Sequence, residues 1–387
     1  MALRVGFNAT PLAAPLTGIG NYIVHLGAAL SAGGEVDLYS FYGNRWVHET
    51  PRPGTGGARA SFARRMRDLA KPWIPFKRGL SQARQRLTFG RGVRRHGIEL
   101  YHEPNYVALP TAVPSVTTIH DLSWLRYPET HPRDRVRWLE RAMPGTLSRV
   151  AAVLVDSEFV RNEVLAAFGV DASRIHVVPL GVAEAFRPRV AGETAPSLQA
   201  LGLTHGRYVL TVGTIEPRKN VGHVLDAYAC LPARLRSRHP LVVAGAGGWR
   251  AKTLERQLQA LASRGEIRFL GRVADDDLPG LYAGAAAFVF PSLYEGFGLP
   301  PLEAMASGVP VLVSDRASMP EIAGGAAMLL DPGQPERTAA CLEAVLEDAD
   351  RRAAMVERGL RRAAAFTWEA CAAKTLDVYR AVLPRTA

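Results

Sequence analysis

The stretch Phe290-Pro-Ser-Leu-Tyr-Glu295-Gly-Phe-Gly-Leu-Pro-Pro-Leu-Glu303-Ala-Met-Ala-Ser-Gly308 decides how the chain reads. Ahead of it, Ala285-Ala-Ala-Phe-Val-Phe290 is a short apolar run that predicts a buried strand of a parallel sheet. Gly296 and Gly298 permit backbone angles that other residues resist, so bare amides can approach a ligand closely. Pro300 and Pro301 suit the first turn of a helix and Gly308 its end. This spacing places Glu303 in the first helical turn, beside the positive end of the helix dipole, and Glu295 on the loop before it. An anion on the helix N-terminus, with two carboxylates nearby to accept hydroxyl hydrogen bonds, describes a sugar nucleotide. The spacing also fits an ordinary strand–turn–helix whose glycines only make a bend.

Strand-like and helix-like runs alternate on either side. Leu3 to Asn8, Val36 to Phe41, Ile98 to His102, Ser115 to His120, Ala152 to Asp156 and Ile175 to Pro179 read as strands of a first unit. A helix is expected from about Asn21 to Leu30, and Ser157 reads as the cap of another. After a Pro/Gly-containing connection from Leu180 to Pro196 the pattern restarts. Strands are expected at Tyr208–Gly213, Pro240–Gly245, Ile267–Gly271, Ala286–Phe290, Val309–Ser314 and Ala327–Asp331. Such alternation predicts an α/β protein with parallel sheets covered on both faces, and two such units place a ligand cleft between the carboxyl ends of their sheets. The 387 residues also favour two domains over one core.

The net charge of +11 is concentrated in one place. Twelve Lys and Arg residues lie between Arg59 and Arg95, against the single acid Asp68, so this segment carries the whole excess. Phe62, Trp73, Ile74, Leu80, Leu87 and Phe89 are interleaved with them. The pattern fits an amphipathic stretch on an anionic membrane surface, or a solvated helical face with its apolar underside packed on its own domain. No nucleic-acid reader module accompanies the charge, so nucleic acid is not an expected partner. Cys230, Cys341 and Cys371 are widely spaced, which fits a reducing cytosol and neither a disulfide framework nor a zinc site. The amino end reads as a first strand rather than a signal peptide, and no window has the length of a membrane span.

Several further constellations carry chemistry. In Gly213-Thr-Ile-Glu-Pro-Arg218-Lys219-Asn220, two cations stand where a helix is expected to start. They oppose its dipole unless a bound polyanion reverses the cost. Thr17-Gly18-Ile-Gly20-Asn21 occupies the first strand–helix loop, where glycines let backbone approach a diphosphate and its sugar; it lacks the third glycine of a dinucleotide fingerprint. His120-Asp121 ends a strand, as does His102-Glu103. Asp275-Asp-Asp277 reads as the acidic start of a helix rather than a metal site.

The Glu-x7-Glu pattern of Glu295 and Glu303, continuing through Gly308-Val-Pro-Val-Leu-Val-Ser-Asp and Pro320-Glu321-Ile322, resembles the signature of retaining glycosyltransferases of family 4. The resemblance extends over nearly the whole chain, except the Arg59–Arg95 insert. It implies the GT-B architecture: two Rossmann-like, doubly wound domains facing a cleft. Residues 1–185 would bind the acceptor and 186–365 the nucleotide-sugar donor, and 366–387 would cross back to the first domain.

It implies roles residue by residue. Arg218 and Lys219, in the Gly-x-x-x-x-x-Lys-Asn element, would bind and stabilise the leaving diphosphate. The amides of Gly296, Phe297, Gly298 and Leu299 would assist. Glu295 would hold sugar hydroxyls, His120 the donor sugar and Glu303 the ribose. Gly18, Gly20 and Gly213 would face the diphosphate, and the backbone at Val273 the edge of the base. Glu103 and Asp121 are acceptor-side candidates. Neither cofactor nor metal is implied. Same-face attack, with the leaving diphosphate taking the acceptor proton, follows from retaining chemistry without an obvious nucleophile.

Within the family, Tyr101-His-Glu-Pro-Asn-Tyr, His120-Asp-Leu-Ser-Trp and Asp156-Ser-Glu-Phe-Val resemble bacterial mannosyltransferases of O-antigen assembly. That implies GDP-mannose or GDP-rhamnose, a lipid-linked glycan acceptor, and a peripheral place on the inner face of the cytoplasmic membrane. A transferase using a UDP-sugar, a sugar-nucleotide epimerase, and a non-catalytic membrane- or nucleic-acid-binding protein remain the alternatives.

Overall fold

Short β-branched runs such as Leu241-Val-Val-Ala, Ala287-Phe-Val-Phe and Val311-Leu-Val-Ser are buried at every position. Continuous burial of this kind requires cover on both sheet faces. The computed structural model describes residues 2–13, 18–49, 75–248 and 252–384, and the side chains of 75–83 are not among the described parts. Among the described residues there are thirteen strands in two sheets.

The first sheet contains β1 (Leu3–Asn8), β2 (Val36–Tyr42), β3 (Arg45–His48), β4 (Leu100–Glu103), β5 (Ser115–Ile119), β6 (Ala152–Val155) and β7 (Ile175–Val177). Its spatial order is β3-β2-β1-β4-β5-β6-β7. Every pairing is parallel except β2 with β3. That antiparallel edge departs from the expected all-parallel pattern. The turn through Gly43, at φ 69°, reverses the chain directly. The short Arg-Trp-Val-His run then pairs back as a hairpin, its alternation too brief to read in isolation.

The second sheet contains β8 (Val209–Val212), β9 (Leu241–Ala244), β10 (Arg268–Gly271), β11 (Ala287–Phe290), β12 (Val311–Ser314) and β13 (Met328–Leu330). Its order is β10-β9-β8-β11-β12-β13, and all pairings are parallel. In each sheet the chain winds outward on one side of its first strand and then crosses to the other. The reversals fall between β1 and β4 and between β8 and β11. Crevices at the carboxyl ends of such switch points are where open α/β sheets bind ligands.

The basic segment divides. Residues 59–74 lie outside the described residues. Pro75–Arg95 is helical, and its C-terminal part packs on its own domain: Phe89 and Val93 are buried, with Phe89 stacked on Trp46 and edge-on to Phe41 and Tyr101. Arg84, Arg86, Arg91, Arg94 and Arg95 are exposed, as is Leu87. Among the described residues no helix is long and apolar enough to cross a membrane.

The last helix, Trp368–Val382, crosses to the first domain. Thr367 caps it by accepting from the Ala370 amide at 3.1 Å. Trp368 stacks on His25, and the Tyr379 hydroxyl lies 2.6 Å from His102 Nδ1. His102 Nε2 meets Thr118, which also meets the Tyr22 hydroxyl, so the tail is bonded into the centre of the first domain. Where the tail docks, Val182 donates to the Phe366 carbonyl at 3.0 Å. A Cβ on Gly181 would fall 2.3 Å from the Trp368 nitrogen. Gly181→Ala is therefore expected to lower stability by about 1–3 kcal/mol, measured by denaturant unfolding.

Candidate active site

At the switch point of the second sheet, the loops that follow β8 and β11 converge. After β8, Pro217–Lys219 forms a 3-10 turn, and Asn220, at φ 54°, begins the helix Val221–Cys230. This turn carries Arg218 and Lys219 toward the loop after β11. Lys219 Nζ donates to Glu295 Oε1 at 2.5 Å, and Arg218 donates to Glu295 Oε2 at 3.3 Å. Arg218 also donates to the Tyr294 carbonyl at 2.6 Å and to Glu216 at 2.7 Å. Gly213 lies beside the Lys219 stem, whose Cδ would stand 3.9 Å from a Cβ there, an ordinary contact. The ammonium lies 5.4 Å from the Phe290 ring centroid.

Glu295 is buried. Desolvation alone would raise its carboxyl, but Lys219 and then Arg218 outweigh it and hold the group below its ordinary range. Desolvation likewise works against the Arg218 charge, and Glu295, Asp121 and Glu216 more than restore it. Each cation thus already has a carboxylate partner.

Glu303 departs from expectation. The helix runs Leu299–Ala306 and has no acid in its first turn, so Glu303 lies in the second. Gly298, at φ 109°, is the residue that can make the left-handed approach, and it leaves Leu299 to open the helix. Pro300 and Pro301 follow within the first turn, where their missing amides cost nothing. From the second turn Glu303 faces a cavity of about 230 Å³ between the domains, which Asn21, His25, Phe186, Asp275 and Leu299 also line. Burial pushes its carboxyl up to about 7, tempered by the neighbouring Tyr282 hydroxyl.

The same loop presses on the first domain. A Cβ on Gly296 would fall 1.7 Å from the His120 carbonyl oxygen, so only glycine permits this approach. The Gly296 carbonyl accepts from Ser157 Oγ at 2.6 Å. The Tyr294 hydroxyl accepts from the Leu122 amide at 2.8 Å and donates to Glu163, itself paired with Arg126. Glu321 accepts from the amides of Glu158 and Phe159, at the start of the helix Glu158–Phe168, where a carboxylate complements the dipole. Phe297 is buried edge-on to Phe366, and its carbonyl accepts from Ser318.

His120 faces this loop, but its side chain is committed to the protein. Nδ1 lies 2.7 Å from Asp156 and Nε2 2.9 Å from the Pro104 carbonyl. With Asp156 ionised both partners accept, a setting that favours the protonated ring. Burial disfavours that charge; Asp156 and the Pro104 carbonyl outweigh it and raise the His120 pKa. Asp121 accepts from Tyr106, the Ser123 amide and the Ser123 hydroxyl through one oxygen. Burial would raise its carboxyl, but Arg218 foremost, with Ser123, holds it low.

Glu103 lies apart from this cluster, at the switch point of the first sheet. Its Oε2 accepts from Tyr101 and from Asn8, each at 2.7 Å, and its Oε1 from the Asn105 amide at 3.2 Å. Burial pushes the carboxyl up to about 8 against these hydrogen bonds.

Gly18 and Gly20 fall in the first turn of the helix Gly18–Ala32; residues 14–17 before them lie outside the described residues. Val273 is buried beyond β10. Sequence reasoning missed Glu216, Glu163 and Tyr294 as members of the site. Glu216 stood in the quoted loop, but nothing in one chain's spacing says that it pairs with Arg218.

Two α/β domains, with the loop after β11 of the second set against the loops after β5 and β6 of the first, have the GT-B architecture. Residues 16–186 match the family model "Glycosyltransferase Family 4", and residues 199–362 match "Glycosyl transferases group 1". The chain is 36% identical to O-antigen chain mannosyltransferase B of Escherichia coli, over 98% of this chain and 100% of that protein. Among solved structures, sucrose-phosphate synthase from Thermosynechococcus elongatus superposes with a TM-score of 0.74 at 20% identity, covering 98% of this chain and 99% of that one. Anabaena HepE in complex with UDP-glucose does so with a TM-score of 0.70 at 16% identity, covering 98% and 99%. The chain belongs to glycosyltransferase family 4 and is an enzyme of that class.

Glu103 supplies a pH test. Unfolded, it ionises near its ordinary value of 4.5; folded, near about 8. Between these the folded state holds the extra proton, so stability falls as pH rises through the window. Comparing Glu103→Gln with the parent by denaturant unfolding from pH 5 to 9 should show the parent losing up to about 1.4 kcal/mol more per pH unit.

Proposed function

We propose that this glycosyltransferase moves a mannosyl residue, or its deoxy relative rhamnosyl, from a GDP-linked donor to a lipid-linked oligosaccharide in O-antigen or related glycan biosynthesis, with retention at the anomeric carbon. The observation that carries the reading is the buried Lys219–Glu295–Arg218 cluster, set in a chain that matches an O-antigen chain mannosyltransferase over its whole length.

The cluster suggests an exchange. The donor diphosphate takes Lys219 and Arg218 from Glu295, with phosphate replacing carboxylate as the partner of both cations. Glu295, released, accepts hydroxyls of the donor sugar. As the bond from the anomeric carbon to the diphosphate oxygen breaks, negative charge collects on the diphosphate. Arg218, Lys219 and the amides of Gly296, Phe297, Gly298 and Leu299 stabilise it there. The acceptor hydroxyl oxygen bonds to the same face of the anomeric carbon and gives its proton to the departing diphosphate.

Gly18, Gly20 and Gly213 let backbone approach the phosphates, Glu303 holds the ribose from its cavity, and the backbone at Val273 meets the base. His120 reaches the sugar by exchanging its Pro104 contact for a hydroxyl. Asp121 faces the acceptor. The two cations supply the positive charge that a metal provides elsewhere, so turnover should persist in a chelator.

A UDP-sugar is the alternative donor, favoured by the UDP-glucose complex of HepE. Calorimetric titration with GDP-, UDP- and ADP-sugars separates the two. Saturable binding of GDP-mannose supports the proposal, and indifference to every nucleotide overturns it. Lys219→Ala should lower kcat roughly 10²–10³-fold. Glu303→Ala should mainly raise the donor KM, by about tenfold.

The exposed Arg84, Arg91, Arg94 and Arg95, with Leu87, make the helix Pro75–Arg95 the element we place against the anionic inner face of the cytoplasmic membrane. Co-sedimentation with vesicles rich in anionic lipid should be strong, and largely lost when Arg84, Arg91 and Arg94 are changed to Glu.

A further inference from the structure

A cavity of about 700 Å³ opens at the switch point of the first sheet, outside the carboxyl ends of β1 and β4, and every residue that lines it belongs to the first domain. Its floor holds Glu103 and Asn105, and its walls hold Arg86, Trp138, Arg141 and Arg149. The helix Arg133–Arg149 supplies the last three at spacings of three and eight residues, which place them along one helical face.

Three features of this cavity are unexplained by folding. Trp138 is 50% exposed, with a large ring surface left open beside a polar floor. Among the described residues no carboxylate pairs with Arg86, Arg141 or Arg149; the one short contact is a 3.5 Å hydrogen bond from Arg149 to the Ala108 carbonyl. The Asn105 Oδ1 is buried without a hydrogen-bond partner, a cost of about 1–3 kcal/mol. Beside it, Glu103 Oε2 accepts from Tyr101 and Asn8, which leaves Oε1 to carry the proton of the neutral carboxyl.

An aromatic face and three guanidinium groups without carboxylate partners ask for a ligand with a ring and a strong anion together. We propose that this cavity binds a phosphorylated sugar of the acceptor, with the ring against Trp138 and a phosphate or diphosphate held by Arg86, Arg141 and Arg149. The inference rests on the acceptor reading above and adds the chemistry by which this domain recognises the acceptor. The diphosphate of a lipid linkage and a phosphate carried on the glycan itself present the same chemistry to these arginines.

Titration calorimetry with the full chain in the presence of saturating GDP, which occupies the donor site, tests it, using four probes: methyl α-mannoside, mannose 6-phosphate, an octyl diphosphate mannoside and inorganic pyrophosphate. At least one phosphorylated sugar should bind ten or more times tighter than both the methyl mannoside and pyrophosphate. The tighter of the two identifies the source of the anion. Trp138→Ala and Arg141→Ala, both at exposed positions, should each weaken that binding about tenfold. In turnover they should raise the acceptor KM and leave the donor KM unchanged. Methyl mannoside binding as well as the phosphorylated sugars overturns the anion half, and pyrophosphate binding as well as they do overturns the sugar half. Variants that bind like the parent overturn the site. Nucleotide-sugar titrations with the same variants report separately on the donor site, so failure here with intact donor binding sinks this inference alone.

Discussion

Burial of Glu295 between two cations is the interaction on which the site depends. A lone carboxylate so enclosed would be driven to protonate, and a buried Lys219 or Arg218 without a partner would be driven to lose charge or structure. Together they are tolerable, because each supplies the countercharge the other loses on leaving water. The cluster also ties the loop after β8 to the loop after β11, since Arg218 donates to the Tyr294 carbonyl and Leu293 donates to the Arg218 carbonyl. The arrangement is therefore ordered by mutual neutralisation: an anion that took both cations would leave the Glu295 carboxylate to be compensated by protonation or by new hydrogen-bond donors.

The same loop sets the relation between the domains. Tyr294 and Gly296 flank Glu295 and both reach the first domain, one through Leu122 and Glu163, the other through the His120 carbonyl and Ser157. Glu295 therefore sits between two residues that both contact the first domain. The tail provides a second, permanent tie. Its Tyr379 bonds to His102, whose pKa burial lowers to about 3, so that contact stays neutral across the physiological range. The first tie runs through hydrogen bonds of the loop that carries Glu295, the second through hydrogen bonds of the tail to His102.

Much of this was legible in the chain. Apolar runs of four or five β-branched and aromatic residues marked the strands because a sheet covered on both faces admits nothing else. Gly296, Gly298 and the two prolines marked the turn into the helix because few residues suit those backbone angles. Arg218 and Lys219 stood out because cations ahead of a helix need a reason. Other features were hidden. The β3 edge strand is four residues long with no pattern of its own. Glu303 was placed one turn early because propensity does not say whether Gly298 or a later residue opens the helix. His120 was read as a contact of the donor sugar, and nothing local says that its ring is held by Asp156, thirty-six residues away, and by the Pro104 carbonyl.

By itself the sequence determined the class of fold, the two-unit plan and the residues after β8 and β11 that gather at one switch point. These follow from local rules: periodicity, turn chemistry and the charge of neighbouring residues. Only the tertiary structure decided which carboxylate partners which cation, how closely Gly296 approaches His120, and that Glu103, Asn105, Trp138 and Arg141 share one cavity. Such pairings join residues tens of positions apart, and their energies come from burial and distance. Those quantities exist only once both sheets are assembled.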